Sequence, residues 1–431
     1  VQKTKLFAFH SMKKGLFFAL MLAFFASCAK EEVKAPQAIP KIYNFEKRYF
    51  EVDTQPAYSS KFYGVNTFPW IPVQKIKMFR SFRVYIASSW IWRPGGIFVQ
   101  PMYQAETQES SGLDVYFAKC KKSGIDVMPC INQTPEWYRP ENEWSGSNNY
   151  PPIKKGLDRE NPASYSDYAE FWFQFVCRYG SQKHPDSVLR VDTTPRWSGD
   201  IPNVKKSGLN LISQIEIGNE FDRWWDIGTE RYLTPKEHAA LFSAVIKRVR
   251  EADKKMKVIM AGLTGFDEKY LLEFLQHLQA FGSELPDIIN VHHYSNTGNE
   301  FDKWPPTWYF SGACMPNEDK DFGMIDSIVS IAHSVNRPVW VTEFGCDSRP
   351  QSWMHIEGSK YGMSDEQAQG TQIVETYKAY KKTGVSRAFM FMAADEPGQG
   401  LWQSCGVLTS QNTGYNKKQS YEIVRQHIYP K

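Results

Sequence analysis

Two glutamates stand where apolar runs end. The run from Leu211 to Gly218 carries Ile215 and Ile217 at a period of two and leads into Asn219-Glu220, and Val339-Trp340-Val341-Thr342 leads into Glu343-Phe344-Gly345. They lie 123 residues apart (343 minus 220). Two carboxyls held in opposite protonation states make a nucleophile and a proton donor. When the nucleophile bonds to the reacting carbon, the pair stands about 5–5.5 Å apart. At that separation the ionised carboxylate is expected to raise the pKa of its neighbour.

The heptapeptide that holds the first glutamate occurs twice. Gly218-Asn219-Glu220-Phe221-Asp222-Arg223-Trp224 and Gly298-Asn299-Glu300-Phe301-Asp302-Lys303-Trp304 differ only at Arg223 and Lys303. The second copy follows the polar turn Ser295-Asn296-Thr297 with no apolar run before it. Glu300 is therefore expected on a loop, as a solvated turn or a ligand contact, and Glu220 at a strand end.

Positioning such a pair requires a scaffold, and the chain supplies a regular one. Eight strand-like runs are predicted over Phe62–Asn66, Phe82–Ile86, Asp126–Asn132, Leu211–Gly218, Val258–Leu263, Ile288–Tyr294, Val339–Glu343 and Ala388–Ala393. Helix signals separate them. Thr234-Pro235-Lys236-Glu237 and Ser364-Asp365-Glu366-Gln367 are capping boxes, Leu271, Leu272, Leu275 and Leu278 stripe a third helix, and Tyr165 to Tyr179 forms a fourth. The first crossover, Thr67 to Ser81, has room for a short helix only. The alternation predicts an α/β fold, a (β/α)8 TIM barrel, with a doubly wound open sheet as the alternative. In a barrel Glu220 and Glu343 fall at the mouth, after the fourth and seventh strands, and function belongs to the loops that follow the strands.

Those loops are rich in aromatics, which make up 15% of the chain and include 14 Trp. Trp137, Tyr138, Trp144 and Tyr150 follow the third strand and Trp224 and Trp225 the fourth. Trp304, Trp308 and Tyr309 follow the sixth, Trp353 the seventh and Trp402 the eighth. Flat rings with polar groups between them suit the C–H faces and hydroxyls of a carbohydrate.

On these motifs the chain resembles the clan A glycoside hydrolases, which include the family 5 endoglucanases and mannanases and the family 39 xylosidases. The resemblance runs over most of residues 60–429 as short motifs at strand ends. Asn219-Glu220 is similar to the clan's acid/base strand and Thr342-Glu343-Phe344-Gly345 to its nucleophile strand. His292-His293-Tyr294 is similar to its sixth strand, whose tyrosine lies beside the nucleophile, and Arg83 to the second-strand arginine that also contacts it. The resemblance implies a retaining β-glycosidase acting on a β-linked glycan. In it Glu343 attacks the anomeric carbon, Glu220 serves as acid and then base, and Asn219 bonds the sugar 2-hydroxyl. Arg83, His292, Tyr294, Trp137, Trp224 and Trp402 complete the expected substrate-binding set, without metal or cofactor. The eighth strand, Phe389 to Asp395, lacks the Trp that floors the subsite in the clan, and Trp402 is expected to replace it.

Two other readings compete. One is a carbohydrate-binding lipoprotein without turnover, which would have no need of both glutamates. The other is a metal-dependent hydrolase using His292 and His293, although adjacent strand residues face opposite sides.

The amino-terminal stretch reads as targeting. Lys13 and Lys14 precede the apolar run Leu16–Phe25, and Ala26-Ser27-Cys28 resembles a lipoprotein box followed by an acidic tag, Glu31-Glu32, of the type found in Bacteroides-like bacteria. The expected organisation is an export signal over 1–27, a tether over 28–41 and a catalytic domain over 42–431, with the membrane reached only through a lipid on Cys28. An outer-membrane lipoprotein acting as a single chain is expected. Net charge is +4, and residues 1–27 hold four lysines and no acid, so subtracting them leaves zero. That balance argues against a nucleic-acid partner. Cys120, Cys130, Cys177, Cys314, Cys346 and Cys405 match no zinc spacing and are expected mostly as isolated buried thiols.

Overall fold

A computed structural model describes residues 60–98, 112–132, 134–139, 150–194, 203–297, 312–398 and 400–430. All of them belong to one compact unit, Lys47–Lys431. The export signal, Cys28, the tether, Trp144, and the second heptapeptide with Glu300, Trp304, Trp308 and Tyr309 lie outside the described residues.

Eight parallel strands form the sheet: β1 Tyr63–Thr67, β2 Ser81–Ala87, β3 Asp126–Asn132, β4 Gln214–Ile217, β5 Lys257–Met260, β6 Ile289–His292, β7 Val339–Phe344 and β8 Arg387–Met390. The spatial order is β5-β4-β3-β2-β1-β8-β7-β6. Parallel bridges Ile259 to Ile288 and Leu263 to Val291 join the two ends, so the sheet closes into the expected barrel. A helix follows each strand: α1 Val73–Ile76, α2 Gly112–Lys122, α3 Ser166–Tyr179, α4 Pro235–Ala252, α5 Glu268–Ala280, α6 Ile325–Ser334, α7 Asp365–Thr383 and α8 Gln419–Ile428. As the short first crossover predicts, α1 is a single turn.

The two capping boxes form as read. Thr234 accepts from the Glu237 amide at the start of α4 and Ser364 from the Gln367 amide at the start of α7, with the reciprocal bonds present. Caps of this kind contribute about 1 kcal/mol each.

Alternation sorts the strand residues between two environments. Phe82, Val84 and Ile86 of β2, Ile215 and Ile217 of β4 and Val339 and Val341 of β7 join the large core beneath the helices. Inside the barrel, Met128, Ile259, Ile288, Trp340 and Phe389 form an apolar plug. Other inward positions are polar, among them Asn66, Arg83, Glu216, Asn290 and Thr342, all fully buried.

Four strands, β4, β5, β6 and β8, are shorter than their apolar runs. The amides of Leu211 and Ile212 bond the Tyr179 carbonyl at the end of α3, so that segment caps a helix before β4 begins. Beyond β6 the His293 amide turns to the Glu343 carbonyl, and beyond β8 the Met392 amide bonds the Cys405 carbonyl. Apolar composition extends past the ladder in each case because burial continues while pairing does not. A two-residue ladder, Trp92–Arg93 against Ile97–Phe98, was not anticipated. The six cysteines after Cys28 are buried and free, as expected.

Candidate active site

Glu343 reaches the barrel mouth through a break in alternation. Thr342 faces inward, where its hydroxyl donates to Asn290 Oδ1 at 2.8 Å. A regular strand would turn Glu343 outward, but the β6–β7 register shifts between Val291 and His292, so that His292 pairs with Glu343. This irregularity points consecutive side chains to the same side, while Phe344 falls into the outer core. The Glu343 carboxylate then accepts from Tyr294 Oη at 2.6 Å on Oε2, and from Arg83 Nη1 and Tyr85 Oη on Oε1. Burial would raise its pKa, but the charges of His292 and Arg83 and the bonds from Tyr294 and Tyr85 hold it below the ordinary carboxylate value. Burial first, and then the charge of Glu343, keeps both tyrosine hydroxyls protonated well above their usual range.

Glu220 arrives by a different route. β4 ends at Ile217, Gly218 takes φ +87°, and Glu220 itself takes φ +50°, a conformation costly for a residue with a side chain. Two ties to the end of β5 hold the turn. The Glu220 amide donates to the Gly262 carbonyl at 3.1 Å, and the buried Asp222 carboxylate accepts from the Thr264 amide at 2.9 Å and its hydroxyl at 3.1 Å. Burial, followed by the charge of Glu220, pushes Asp222 up to about 7. Glu220 Oε1 lies 2.8 Å from His292 Nδ1.

Arg83 ties these parts together from the centre. It forks onto Glu216 through Nε at 2.5 Å and Nη2 at 2.9 Å, bonds Asn66 Oδ1 at 2.9 Å, and donates to Asn219 Oδ1 at 2.6 Å. Burial would lower its pKa, but Cys130, Glu216, Tyr85 and Glu343 raise it above the usual guanidinium value. A bidentate guanidinium–carboxylate fork fixes orientation as well as charge.

Among the residues anticipated from sequence, Glu220, Glu343, Asn219, Arg83, His292 and Tyr294 converge here. Arg83 and His292 are fully buried and meet the site through Glu343, Asn219 and Glu220. Trp402, at φ +64° on the loop after β8, packs 4.3 Å from the Tyr294 ring, with Phe391 and Trp353 beyond it. Trp224 is 56% exposed and meets Trp225 edge-on. Trp137 packs into an aromatic cluster with Trp92 and Tyr138. His292 and His293 point apart: His293 bonds Asp319 at 2.6 Å and stacks on Phe266.

Sequence reading missed Glu216, Tyr85, Asn66, Asn290 and Thr342. Three of them have a signal in their spacing. Tyr85 lies two after Arg83 and Asn290 two before His292, on the same strand faces as residues already singled out, and Glu216 is the polar residue inside the apolar run that leads to Glu220.

Glu220, His292 and Glu343 each offer one ligand atom, and these atoms lie within 4.8 Å of one another, a spacing that a cation could span. Three donors already engage the Glu343 oxygens. The unit as a whole offers a buried carboxylate held ionised, a second carboxyl beside an imidazole, and half-buried aromatics at the rim.

Comparison with known proteins agrees with the barrel fold. Residues 219–415 match the family model for the glycosyl hydrolase catalytic core. No curated protein matches the chain. Among solved structures, a family 39 glycoside hydrolase from the gut symbiont Bacteroides cellulosilyticus WH2 is similar with a TM-score of 0.56 and 16% identity, covering 87% of this chain and 64% of that one. The GH53 catalytic domain of Ignisphaera aggregans gives 0.52 and 14%, covering 89% and 100%. A glucosidase from Croceicoccus marinus gives 0.51 and 11%, covering 86% and 67%. The chain thus spans about two thirds of the family 39 and Croceicoccus proteins, and at these identities the likeness is one of fold. The barrel is closed, and its part from Asn219 through the strand that carries Glu343 is similar to a glycosyl hydrolase catalytic core, in keeping with the resemblance to the clan A glycoside hydrolases.

Proposed function

We propose that the protein is a retaining β-glycoside hydrolase that cleaves a β-linked poly- or oligosaccharide, with Glu343 as nucleophile and Glu220 as acid/base. The observation that carries this reading is the approach of Glu220 and Glu343 oxygens to within 4.8 Å. A water-activating pair of the inverting kind stands about 6.5–9.5 Å apart, whereas direct attack needs about 5–5.5 Å. Ionisation of Glu343 by His292, Arg83 and the two tyrosines supports its role as the attacking group.

In the first step a Glu343 oxygen bonds to the anomeric carbon while the glycosidic C–O bond breaks, and the Glu220 proton passes to the leaving oxygen. In the second, Glu220 takes a proton from water, the water oxygen bonds to the same carbon, and the ester to Glu343 breaks. Asn219 Oδ1 is engaged by Arg83, which leaves its Nδ2 to donate to the sugar 2-hydroxyl. Trp402 floors the subsite and Trp224 contacts the glycan beyond it. A lipid anchor on Cys28 would hold the enzyme at the outer membrane.

The test is stereochemical. Proton NMR of the first-formed product should show the substrate's anomeric configuration, and an inverted product would refute the mechanism. Azide added to Glu343→Gly should yield a glycosyl azide of inverted configuration, and added to Glu220→Ala, on an activated aryl glycoside, one of retained configuration. Glu300→Gln should at most weaken binding.

A further inference from the structure

The hydrogen bonds beneath Glu220 run in one direction only. Glu216 is forked by Arg83 and also accepts from Asn290 Nδ2 at 2.9 Å and from the Gly262 amide at 3.3 Å. Asn290 Nδ2 additionally faces the Met260 carbonyl at 3.2 Å. With its nitrogen turned to two acceptors, the Asn290 amide presents Oδ1 on its other side. There it accepts the Thr342 hydroxyl at 2.8 Å. That hydroxyl has one hydrogen and has spent it, so towards His292 Nε2, 3.0 Å away, the Thr342 oxygen can only accept. Nε2 must therefore carry a hydrogen. The neutral ring then has a bare Nδ1, and Nδ1 is the atom 2.8 Å from Glu220 Oε1.

Packing holds the ring in that place. A Cβ on Gly262 would lie 2.1 Å from His292 Nε2, so the absence of a side chain just beyond β5 makes room for the imidazole. The charged groups that face the ring are Glu220 from the β4 loop, Glu343 from β7, whose Oε1 is 3.7 Å from Nδ1, and Arg83 from β2.

We propose that Thr342 and Asn290 are positioning residues for the proton donor: by fixing the hydrogen of His292 on Nε2, they leave Nδ1 and Glu220 to share a single proton. The inference rests on the reading of Glu220 as acid/base and adds how its proton is held. In the buried cluster two carboxyl side chains, Glu216 and Glu343, face the single guanidinium of Arg83. A proton kept between Nδ1 and Glu220 is therefore stabilised whichever atom carries it. Burial would lower the pKa of His292, and the charges of Glu343 and Glu220 more than reverse that effect.

Both steps of turnover use the arrangement. In the first, the shared proton leaves for the glycosidic oxygen as that bond breaks. Glu220 is then a carboxylate facing the lone pair of Nδ1, which makes it a stronger base for the water proton in the second. That proton restores the pair, so no further donor or acceptor is consumed.

The experiment compares Thr342→Val, which keeps the shape and removes the hydroxyl, with Thr342→Ser, which keeps the hydroxyl. The probes are phenyl and 2,4-dinitrophenyl β-glycosides of the same sugar, whichever of glucose, xylose, mannose or galactose is turned over. For Thr342→Val, kcat/KM on the phenyl glycoside should fall about 10- to 100-fold, while the dinitrophenyl glycoside, which needs no proton, changes by less than about threefold. Thr342→Ser should restore the phenyl reaction. Equal losses on both glycosides would overturn the inference, as would a failure of serine to rescue. Nitrogen-15 NMR of histidine-labelled wild-type enzyme, with His292→Gln for assignment, reads the tautomer without any change at Thr342. A hydrogen on Nε2 is expected, and a neutral ring protonated at Nδ1 would overturn the proposal. Glu220→Gln separates this inference from the reading beneath it. If that variant loses both glycosides equally, Glu220 is not the acid, and if it selectively loses the phenyl glycoside while Thr342→Val does not, only the role of Thr342 fails.

Discussion

Replacing Arg83 by lysine keeps a positive charge at the centre of the barrel and removes the fork. Arg83 makes seven donor contacts, to Glu216 twice and to Asn66, Tyr85, Glu343, Cys130 and Asn219 once each. The guanidinium spreads five hydrogens over Nε, Nη1 and Nη2, whereas an ammonium has three on one nitrogen, so at least two of the hydrogens that serve Glu216, Glu343, Asn66 and Asn219 are lost. At least two strong acceptors lose a donor in a region with no solvent access, at about 1–3 kcal/mol each, giving a destabilisation of about 2–6 kcal/mol. Urea unfolding at neutral pH measures it. The same change acts on the nucleophile. Glu343 has a depressed folded-state pKa, so its contribution to stability is present above the unfolded value, about 4.3, and is lost as pH falls through the folded one. With one donor withdrawn the folded value rises, and the acid limb of kcat/KM against pH should move to higher pH. Loss of a preorganised donor should also lower kcat/KM about 100-fold at the optimum. An Arg83→Lys enzyme with unchanged urea midpoint and unmoved acid limb would refute the argument that the fork, rather than the charge, holds Glu343.

Two further outcomes follow from groups near the mouth. Asp222 is buried with its pKa raised to about 7, so the folded state prefers its neutral form; stability should fall as pH rises from about 4, the unfolded value, to about 7, and Asp222→Asn should remove that slope in urea midpoints measured across the range. Trp402 is fixed from behind, since Asp347 accepts from its amide and from the Ser404 amide, both at 2.8 Å, so Trp402→Ala should leave the loop in place, and kcat/KM on the natural glycan should drop about tenfold or more through the lost stacking face; an unchanged value would remove Trp402 from the subsite.

The barrel was readable because parallel strands buried on both faces appear as apolar runs, and runs such as Val339–Val341 and Ile288–Val291 are too short and too regularly spaced to be anything else. Glu220, Glu343, Arg83 and Tyr294 were readable because they end those runs or interrupt them with a polar side chain. The partners were harder. Glu216 and Asn290 sit at inward positions of their strands, so period counting alone could have flagged them as buried polar residues that need a partner. Which partner each takes depends on the stagger between neighbouring strands. That stagger sets Asn66 beside Arg83 and Cys130 beside Glu216, and nothing in a single strand's sequence encodes it.

The same limit is sharpest at the nucleophile. A period of two gives the barrel interior either Thr342 or Glu343 and sends the other into the core beneath the helices. Both are needed inside, because Thr342 sets the hydrogen on His292 while Glu343 meets Arg83, Tyr85 and Tyr294. The register shift beside His292 supplies the second inward position, and the residue that yields its place is Phe344, whose ring is welcome in the outer core against Tyr377 and Tyr380. Thr-Glu-Phe is thus a sequence in which the apolar residue falls one position later than alternation requires. A glutamate and a phenylalanine out of step at the end of a buried strand mark a bulge, and the bulge brings the charge to the mouth of the barrel.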